Sequence, residues 1–242
     1  MITLAIGMPR AGSGWHYNLT NGLMMASGAK NPRDIRTQYR LGSILTEVNC
    51  NIGVLSPRRL SMVMLPSLLG NNFTIKAHAG PTPMARLLIR TRQIRPTYIY
   101  RDPRDAALSA YEYGQRALAK GRPNAFSHLD TIEKAIDFLA EYVTDWRAWN
   151  AVSRVHVMRY ETFKSDYFPQ AQALAIFLGV DTANPAIQTV LEQFAPEQAK
   201  KGDKGLHFHK GQSGRFRDTF TPPQQQYALD VYGDTLREMG YE

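Results

Sequence analysis

Residues 2–15 read ITLAIGMPRAGSGW, an apolar run followed by a glycine-rich turn. The run over residues 2–7 is short and ends in glycine, which is typical of a buried parallel strand. A helix is predicted to follow over about residues 15–26. Gly7 and Gly12 have the spacing of a phosphate-binding loop, in which backbone N–H groups and the helix N-terminus hold an anion. These residues predict an α/β fold of the P-loop nucleotide-binding type, although a strand-to-helix turn without a ligand has the same pattern.

The loop lacks two residues that a nucleotide-hydrolysing P-loop needs. Such a loop continues with a lysine for the β- and γ-phosphates and then with a serine or threonine for magnesium. Here Ser13 and Gly14 follow, and the cation is Arg10. Asp102, which comes after an apolar strand, could imitate a magnesium-binding aspartate, but we interpret it as a helix cap. The pattern therefore favours chemistry without a metal ion, and no metal site is expected.

Further strands are predicted at 73–78, 96–101 and 154–160, and they alternate with helices. This alternation predicts a three-layer α/β/α fold around a mainly parallel sheet, in a single domain over residues 1–242. Residues 202–221 are rich in Gly, Lys and Arg and are predicted to form a long loop, a kind of segment that is usually functional or disordered. The helices are predicted at 57–69, 102–120, 127–150, 169–178, 184–194 and 222–239.

The composition favours anionic ligands and a reducing compartment. Lys and Arg outnumber Asp and Glu by 29 to 21, giving a formal net charge of +8. Nucleic acid, a membrane surface and phosphorylated small molecules all fit this charge, as does an ordinary solvated surface. Cys50 is the only cysteine, so an intrachain disulfide is excluded. Because the start does not resemble a signal peptide and no stretch reaches about 18 apolar residues, we expect a cytoplasmic protein without a membrane span.

Five segments, in the same order along the chain, resemble the sulfotransferases that use PAPS (3′-phosphoadenosine 5′-phosphosulfate) as donor. PRAGSGW (9–15) resembles their 5′-phosphosulfate loop, PKSGTTW, and IKAH (75–78) resembles the KTH segment with the catalytic histidine. YIYRDPRDAALSAY (98–111) resembles the 3′-phosphate segment, and RYETF (159–163) is similar to an RYEDL element near the adenine. HFHKGQSGRFRDTFT (207–221) is similar to the C-terminal RKG loop and its continuation. Together the segments cover most of the chain.

The resemblance implies a transfer of the sulfuryl group from PAPS to a hydroxyl or amine, which leaves PAP, the 3′,5′-bisphosphate. It implies His78 as the base, with Lys76 and Arg10 stabilising the leaving group. Lys76 lies two residues before His78, so the two point to the same side of an extended strand. Such a reaction depends mainly on positioning and on positive charge near the leaving oxygen. The donor-binding residues implied are Arg10, Ala11, Gly12, Ser13, Gly14, Trp15, Arg101, Ser109, Tyr160, His209, Lys210 and Gly211.

Several of these residues also have structural interpretations. A lone histidine at a strand end is often structural, and Arg101 could pair with Asp102 or Asp105 at the surface. Trp15 and Tyr160 could stack on the adenine or lie in the core. The chain also departs from the family pattern, because Arg10 replaces the usual lysine, and arginine and lysine are not equivalent.

The C-terminal loop departs as well. His209 stands where RKG has arginine, whereas Lys210 and Gly211 agree with it. The 3′-phosphate is therefore expected to rely more on Arg101, Ser109 and Lys210 and on the Gly211 backbone. His207 and His209 leave a metal pair as an alternative.

The sequence predicts less about the acceptor than about the donor. Segments 29–72 and 112–150 match nothing assignable, and they are where the family would place its acceptor pocket. A small-molecule, carbohydrate or lipid acceptor is expected, with no specific nucleic acid; a homodimer is one option for the assembly. The alternatives to a sulfotransferase are a P-loop kinase and a catalytically silent protein that binds PAP or polyanions. Aromatic residues that could line the acceptor cleft, although we favour the core for them, are Tyr17, Tyr111, Tyr113, Trp146 and Trp149.

Overall fold

A parallel sheet forms the centre of the molecule. A computed structural model describes residues 1–198 and 212–241 of the chain. Within these residues the sheet has the strand order β2-β1-β3-β4, and all of its neighbouring strands run parallel. This confirms the predicted α/β class with a parallel sheet. The strands are β1 (Ile2–Gly7), β2 (Phe73–Ala77), β3 (Ile94–Tyr100) and β4 (His156–Arg159).

Helices cover both faces of the sheet. Successive side chains of a strand point to opposite faces, so the apolar strands present side chains that must be buried on both sides. Leu4 and Ile6 belong to one hydrophobic cluster, which includes residues of α3 to α6. Ile99 and Met158 belong to a second cluster with residues of α1, α8 and α9. The helices are α1 (Ser13–Ala26), α2 (Pro32–Gln38), α3 (Pro57–Leu68), α4 (Pro83–Arg90), α5 (Pro103–Ala119), α6 (Ile132–Asn150), α7 (Tyr160–Ser165), α8 (Tyr167–Leu178), α9 (Pro185–Gln193), α10 (Phe216–Thr219), α11 (Pro222–Tyr232) and α12 (Thr235–Glu238).

Capping side chains explain where several helices begin. Asp102 caps α5 by accepting a hydrogen bond from the Arg104 backbone N–H at 2.9 Å, as the sequence predicted. The helix predicted from residue 127 begins only at Ile132, because the Thr131 side chain caps it. The helix predicted over 222–239 is two helices, α11 and α12. Gly233 separates them with a φ of 52°, a left-handed backbone angle that no helix interior accepts.

Some elements were missed by sequence reasoning. Helices α2, α4 and α7 were not predicted, and α10 lies inside the segment that was predicted to be a loop. These helices span 4 to 8 residues each, too short for a hydrophobic period to stand out. In the described ranges no helix combines the length and the apolar character needed to cross a bilayer.

Candidate functional site

A cavity of about 520 Å³ opens at the carboxyl ends of the strands. The loop after β1, His78 after β2, Arg101 after β3 and Tyr160 after β4 all line it. The carboxyl edge of a parallel sheet is where α/β proteins bind ligands, because the strand-to-helix loops converge there. The sheet thus brings together segments that are far apart in the sequence.

The loop between β1 and α1 has the features of an anion site. Gly12 has a φ of 79°, and a Cβ atom on it would lie 2.7 Å from the Tyr160 ring, so no other residue fits without rearrangement. Helix α1 starts at Ser13 with neither a side-chain cap nor an acidic residue in its first turn. Its N-terminal amides and the positive end of its dipole therefore favour a negative ligand. Gly12, Ser13 and Gly14 line the cavity, whereas Ala11 is fully buried.

Arg10 extends from this loop into the cavity. Its φ of 62° is left-handed, and Arg101 Nη1 donates to its carbonyl oxygen at 3.4 Å. Its Nε donates to Ser109 Oγ at 3.2 Å, and its guanidinium lies 4.4 Å from the centre of the Tyr113 ring. Burial, together with the nearby Arg116 and Arg101 cations, lowers the pKa of Arg10 to about 10. Three cations, Arg10, Arg101 and Arg116, are thus crowded together, an arrangement that an anion would stabilise.

Arg101 connects the phosphate loop to the C-terminal part of the chain. Its Nη2 donates to the carbonyl oxygen of Gln212 at 2.7 Å and lies 3.4 Å from Asp105 Oδ2. Its guanidinium lies 4.8 Å from the centre of the Tyr160 ring. Its Nε is buried without a hydrogen-bond partner among the described residues, so one donor of the guanidinium is unsatisfied.

The pairing of Arg101 with Asp105 is confirmed, but its expected position at the surface is wrong. Its partner is Asp105 and not Asp102, and the pair is buried, with Arg101 only 7% exposed. Asp102 pairs with Arg104 instead, through bonds of 3.0 and 2.9 Å. The guanidinium of Arg101 is therefore held at the cavity wall.

His78 and Lys76 lie side by side at the end of β2. His78 Nδ1 is 2.5 Å from the carbonyl oxygen of Gly7. Because a carbonyl oxygen only accepts, Nδ1 carries the hydrogen and Nε2 keeps its lone pair. Burial and then the Lys76 charge lower the pKa of His78 to about 4, although the bond to Gly7 raises it. Burial and then the Arg10 charge lower the pKa of Lys76 to about 8. At neutral pH the site thus holds a neutral histidine next to a cation.

A group of aromatic rings forms part of the cavity lining and begins at Tyr113, over which Arg10 lies. Phe126 lies 5.7 Å from both Tyr113 and Phe138, and Phe138 lies 5.4 Å from Tyr142, measured between ring centres. All four rings line the cavity and are half-buried. Sequence patterns did not predict Phe126, Phe138 and Tyr142 at the site. The spacing of Phe138 and Tyr142, four residues apart on α6, was an available signal that they share one face.

The aromatic residues considered for a cleft divide between cavity and core. Tyr113 lines the cavity, so the preference for the core was wrong there. Tyr17, Trp146 and Trp149 are buried in the core, as favoured. Tyr111 packs partly buried against the core.

An ion-pair cluster at the cavity was also missed. Arg215, which follows the undescribed part of the C-terminal region, pairs with Glu112 of α5, with Nη1 3.1 Å from Oε2. Arg116 lies 3.7 Å from the same carboxylate. All three residues line the cavity, and Asn49 and Asn124 add polar groups. Because Arg215 and Glu112 are 103 residues apart, local sequence carries no signal for this contact.

The structure brings most of the predicted site residues to this cavity. Trp15 is only 1% exposed, stacks on Tyr167 and donates from Nε1 to the Phe194 carbonyl at 2.8 Å, so it is mainly a core residue. His209, Lys210 and Gly211 lie outside the described residues, as does His207. Residues 1–198 and 212–241 contain no group of three or more potential ligands for a metal ion. Of the predicted residues, those that line the cavity are Arg10, Gly12, Ser13, Gly14, Trp15, Lys76, His78, Arg101, Ser109 and Tyr160.

Comparisons with known proteins agree with this architecture. The family model described as sulfotransferase domain matches residues 3–240. A retinol dehydratase in a complex with retinol and PAP superposes with a TM-score of 0.63 at 18% identity, covering 98% of this chain and 81% of that chain. The mouse sulfotransferase SULT7A1 complexed with PAP gives 0.62 at 18% identity, covering 98% and 84% of the two chains. A search of curated proteins finds no significant match.

Proposed function

We propose, because this chain belongs to the sulfotransferase domain family, that it is a PAPS-dependent enzyme which transfers a sulfuryl group to a hydroxyl or amine of a small molecule and releases PAP. The solved relatives of the same fold were crystallised with PAP. The observation that carries the proposal is the cavity in which the N-terminus of α1, the cations Arg10, Lys76 and Arg101 and a neutral histidine meet.

The donor is assigned to the cationic side of the cavity. We place its 5′-phosphosulfate at the N-terminus of α1, where Arg10 and Lys76 add positive charge. The 3′-phosphate is assigned to the Arg101 guanidinium and to Ser109, which both line the cavity. Tyr160 is placed beside the nucleoside. Lys210 and Gly211 keep their predicted role at the 3′-phosphate on the basis of the sequence.

His78 is assigned as the general base. Its Nε2 accepts the proton of the acceptor hydroxyl while the acceptor oxygen attacks the sulfur. The new S–O bond forms as the S–O bond to the donor phosphate breaks, and the electron pair of the broken bond stays on the phosphate oxygen of PAP. Arg10 and Lys76 stabilise the negative charge that develops on that oxygen. No metal ion is needed in this scheme.

The aromatic rings that line the cavity are assigned to the acceptor. The rings of Tyr113, Phe126, Phe138 and Tyr142 offer flat apolar surface, which favours a small molecule with a flat apolar face over an extended polymer. The solved retinol dehydratase complexes hold retinol or androsterone, which are acceptor-sized small molecules. A cytoplasmic location and a homodimer stay predictions from the sequence.

Calorimetric titration of PAP without magnesium tests the proposal. Wild type should bind PAP, whereas Arg101→Ala should weaken binding roughly 10- to 150-fold. This is the affinity change that corresponds to the loss of a charge-assisted hydrogen bond worth about 1.5–3 kcal/mol. Arg90→Ala is the matched control, because Arg90 is an exposed residue of α4 away from the cavity. Absence of PAP binding, or magnesium-dependent binding of ATP in a parallel titration, would overturn the proposal and favour the P-loop kinase.

A further inference from the structure

Asp105 binds the C-terminal part of the chain from inside the protein. Only 2% of this residue is exposed, yet its carboxylate has three polar neighbours. Oδ2 accepts a hydrogen bond from the Gly214 backbone N–H at 2.6 Å, and Oδ1 accepts one from the Phe216 N–H at 3.2 Å. Oδ2 also lies 3.4 Å from Arg101 Nη2. The Asp105 carboxylate therefore links the start of α5 to Arg101, which follows β3, and to Gly214, which lies 109 residues later in the chain.

Asp105 is one of several groups that hold residues 212–216, the C-terminal strap, and it binds two backbone amides of that segment. The Gln212 carbonyl accepts a hydrogen bond from Arg101. Arg215, which lies between Gly214 and Phe216 in the chain, lines the cavity. Phe216 is buried under the Arg104 guanidinium, 4.2 Å from the ring centre. Gly214 has a φ of 78°, which a residue with a side chain rarely adopts. The strap thus has one well-defined path along the cavity wall.

The strap in turn limits how Arg101 can be oriented. Arg101 Nη1 donates to the Arg10 carbonyl, and Nη2 donates to Gln212 and Asp105, so acceptors fix the plane of the guanidinium while Nη1 keeps a second N–H for a ligand. If the strap moves away, Nη2 loses the shorter of its two bonds, the one to Gln212, and the guanidinium gains freedom that it must lose again when it binds a phosphate.

We propose that Asp105 is a positioning residue for the donor. By holding the strap against Arg101 it aligns the Arg101 guanidinium on the 3′-phosphate of PAPS, without touching the donor itself. This inference rests on the proposed function, and it adds to it a residue that the resemblance did not assign.

The negative charge of Asp105 allows an electrostatic effect on donor binding to be distinguished from a positioning effect. Its carboxylate lies beside Arg101, so removing the negative charge should tighten the binding of an anion if electrostatics alone matters. Positioning predicts the opposite, because Asp105→Asn keeps one oxygen acceptor but turns an NH2 group towards a backbone N–H of the strap. The two effects differ in sign.

The experiment is calorimetric titration of PAP and of 5′-AMP, which lacks the 3′-phosphate, into wild type and Asp105→Asn. PAP affinity should fall about tenfold in the variant, whereas 5′-AMP affinity should change by less than about twofold. Asp218→Asn is the matched control, because Asp218 is an exposed acid in the first turn of α10 and loses the same charge. It should bind both nucleotides as wild type does.

Gly214→Ala is a second variant, which disturbs the same strap without changing any charge and should also weaken PAP selectively. It decides the question if Asp105→Asn does not fold, as judged by thermal melting. Unchanged or tighter PAP binding by folded Asp105→Asn, or an equal loss for PAP and 5′-AMP, would overturn the inference. Wild type that fails to bind PAP would overturn the proposed function instead.

Discussion

His78 donates its Nδ1 hydrogen to the carbonyl oxygen of Gly7, 2.5 Å away. Gly7 is the last residue of β1 and the first of the phosphate loop, so the bond ties the histidine to the loop that carries Arg10. It also leaves Nε2 as the atom that can accept a proton. The orientation of the assigned base and the position of the loop are therefore set by the same hydrogen bond.

Replacement of His78 by asparagine should abolish most catalysis and spare donor binding. The asparagine amide can donate to Gly7 as Nδ1 does, but it cannot accept a proton, so the transfer rate should fall about 10²- to 10⁴-fold. PAP affinity should stay within about threefold of wild type, measured by calorimetry beside turnover assays. His128→Asn, at an exposed site, is the control. A His78→Asn enzyme with the wild-type rate would exclude the histidine as base.

The acid limb of the pH–rate profile should lie well below the ordinary histidine pKa. Burial and the Lys76 charge lower the pKa of His78 to about 4, and the base works only when it is deprotonated. Activity should therefore be lost as the pH falls towards that value. Bound PAPS is negatively charged, so it stabilises protonated His78 and raises its pKa in the complex. The acid limb of kcat, which reports the complex, should therefore lie at higher pH than the acid limb of kcat/KM for PAPS, which reports the free enzyme. Coincident limbs near pH 6.5 would contradict the proposed environment of His78.

PAP binding near pH 8 should take up protons. Burial and the Arg10 charge lower the pKa of Lys76 to about 8, so this amine is about half protonated there. The phosphate groups of PAP favour the charged amine and raise its pKa. Lys76 should therefore take up about half a proton from the buffer for each PAP bound. Titrations in buffers of different ionisation enthalpy measure this uptake. It should vanish in Lys76→Met; uptake that persists in the variant would assign the proton to another group.

Folding stability should decrease in acid because of His16. This imidazole is fully buried in α1, and both of its nitrogens lack a hydrogen-bond partner in the described part of the chain. Burial, and then the nearby His156 and Lys76, lower its pKa to about 3. The unfolded state, with a pKa near 6.5, binds the proton more readily, so stability is lost as the pH falls from about 6.5 towards 3.

The loss due to His16 between pH 7 and pH 5 should be about 2 kcal/mol. Urea unfolding of wild type and His16→Leu at both pH values measures it, and the variant should lose about that much less stability than wild type does. His78, whose pKa is also lowered by burial, and the other groups that titrate in this range are common to both proteins, so they cancel in the comparison. Equal losses in the two proteins would show that His16 is not the group that titrates.

How much of the site the sequence could predict depends on the range of the interactions. Lys76 and His78 were placed together because side chains alternate along a strand, and Asp102 was identified as a cap because α5 begins directly after it. Both inferences need only a few neighbouring residues. Trp15 shows the limit of this reasoning, because stacking on adenine and packing in the core use the same ring.

The sequence alone determined the parallel α/β class, the phosphate loop and the strand ends that carry His78 and Arg101, because periodicity and turn residues act locally on the backbone. Only the tertiary structure decided that Asp105 binds Gly214, that Arg215 pairs with Glu112 and that Phe126 meets Phe138 at the cavity. The first two contacts join segments more than a hundred residues apart, and the third depends on how α6 packs against the loop before it. Such contacts arise from the packing of helices on the sheet, and no local pattern records them.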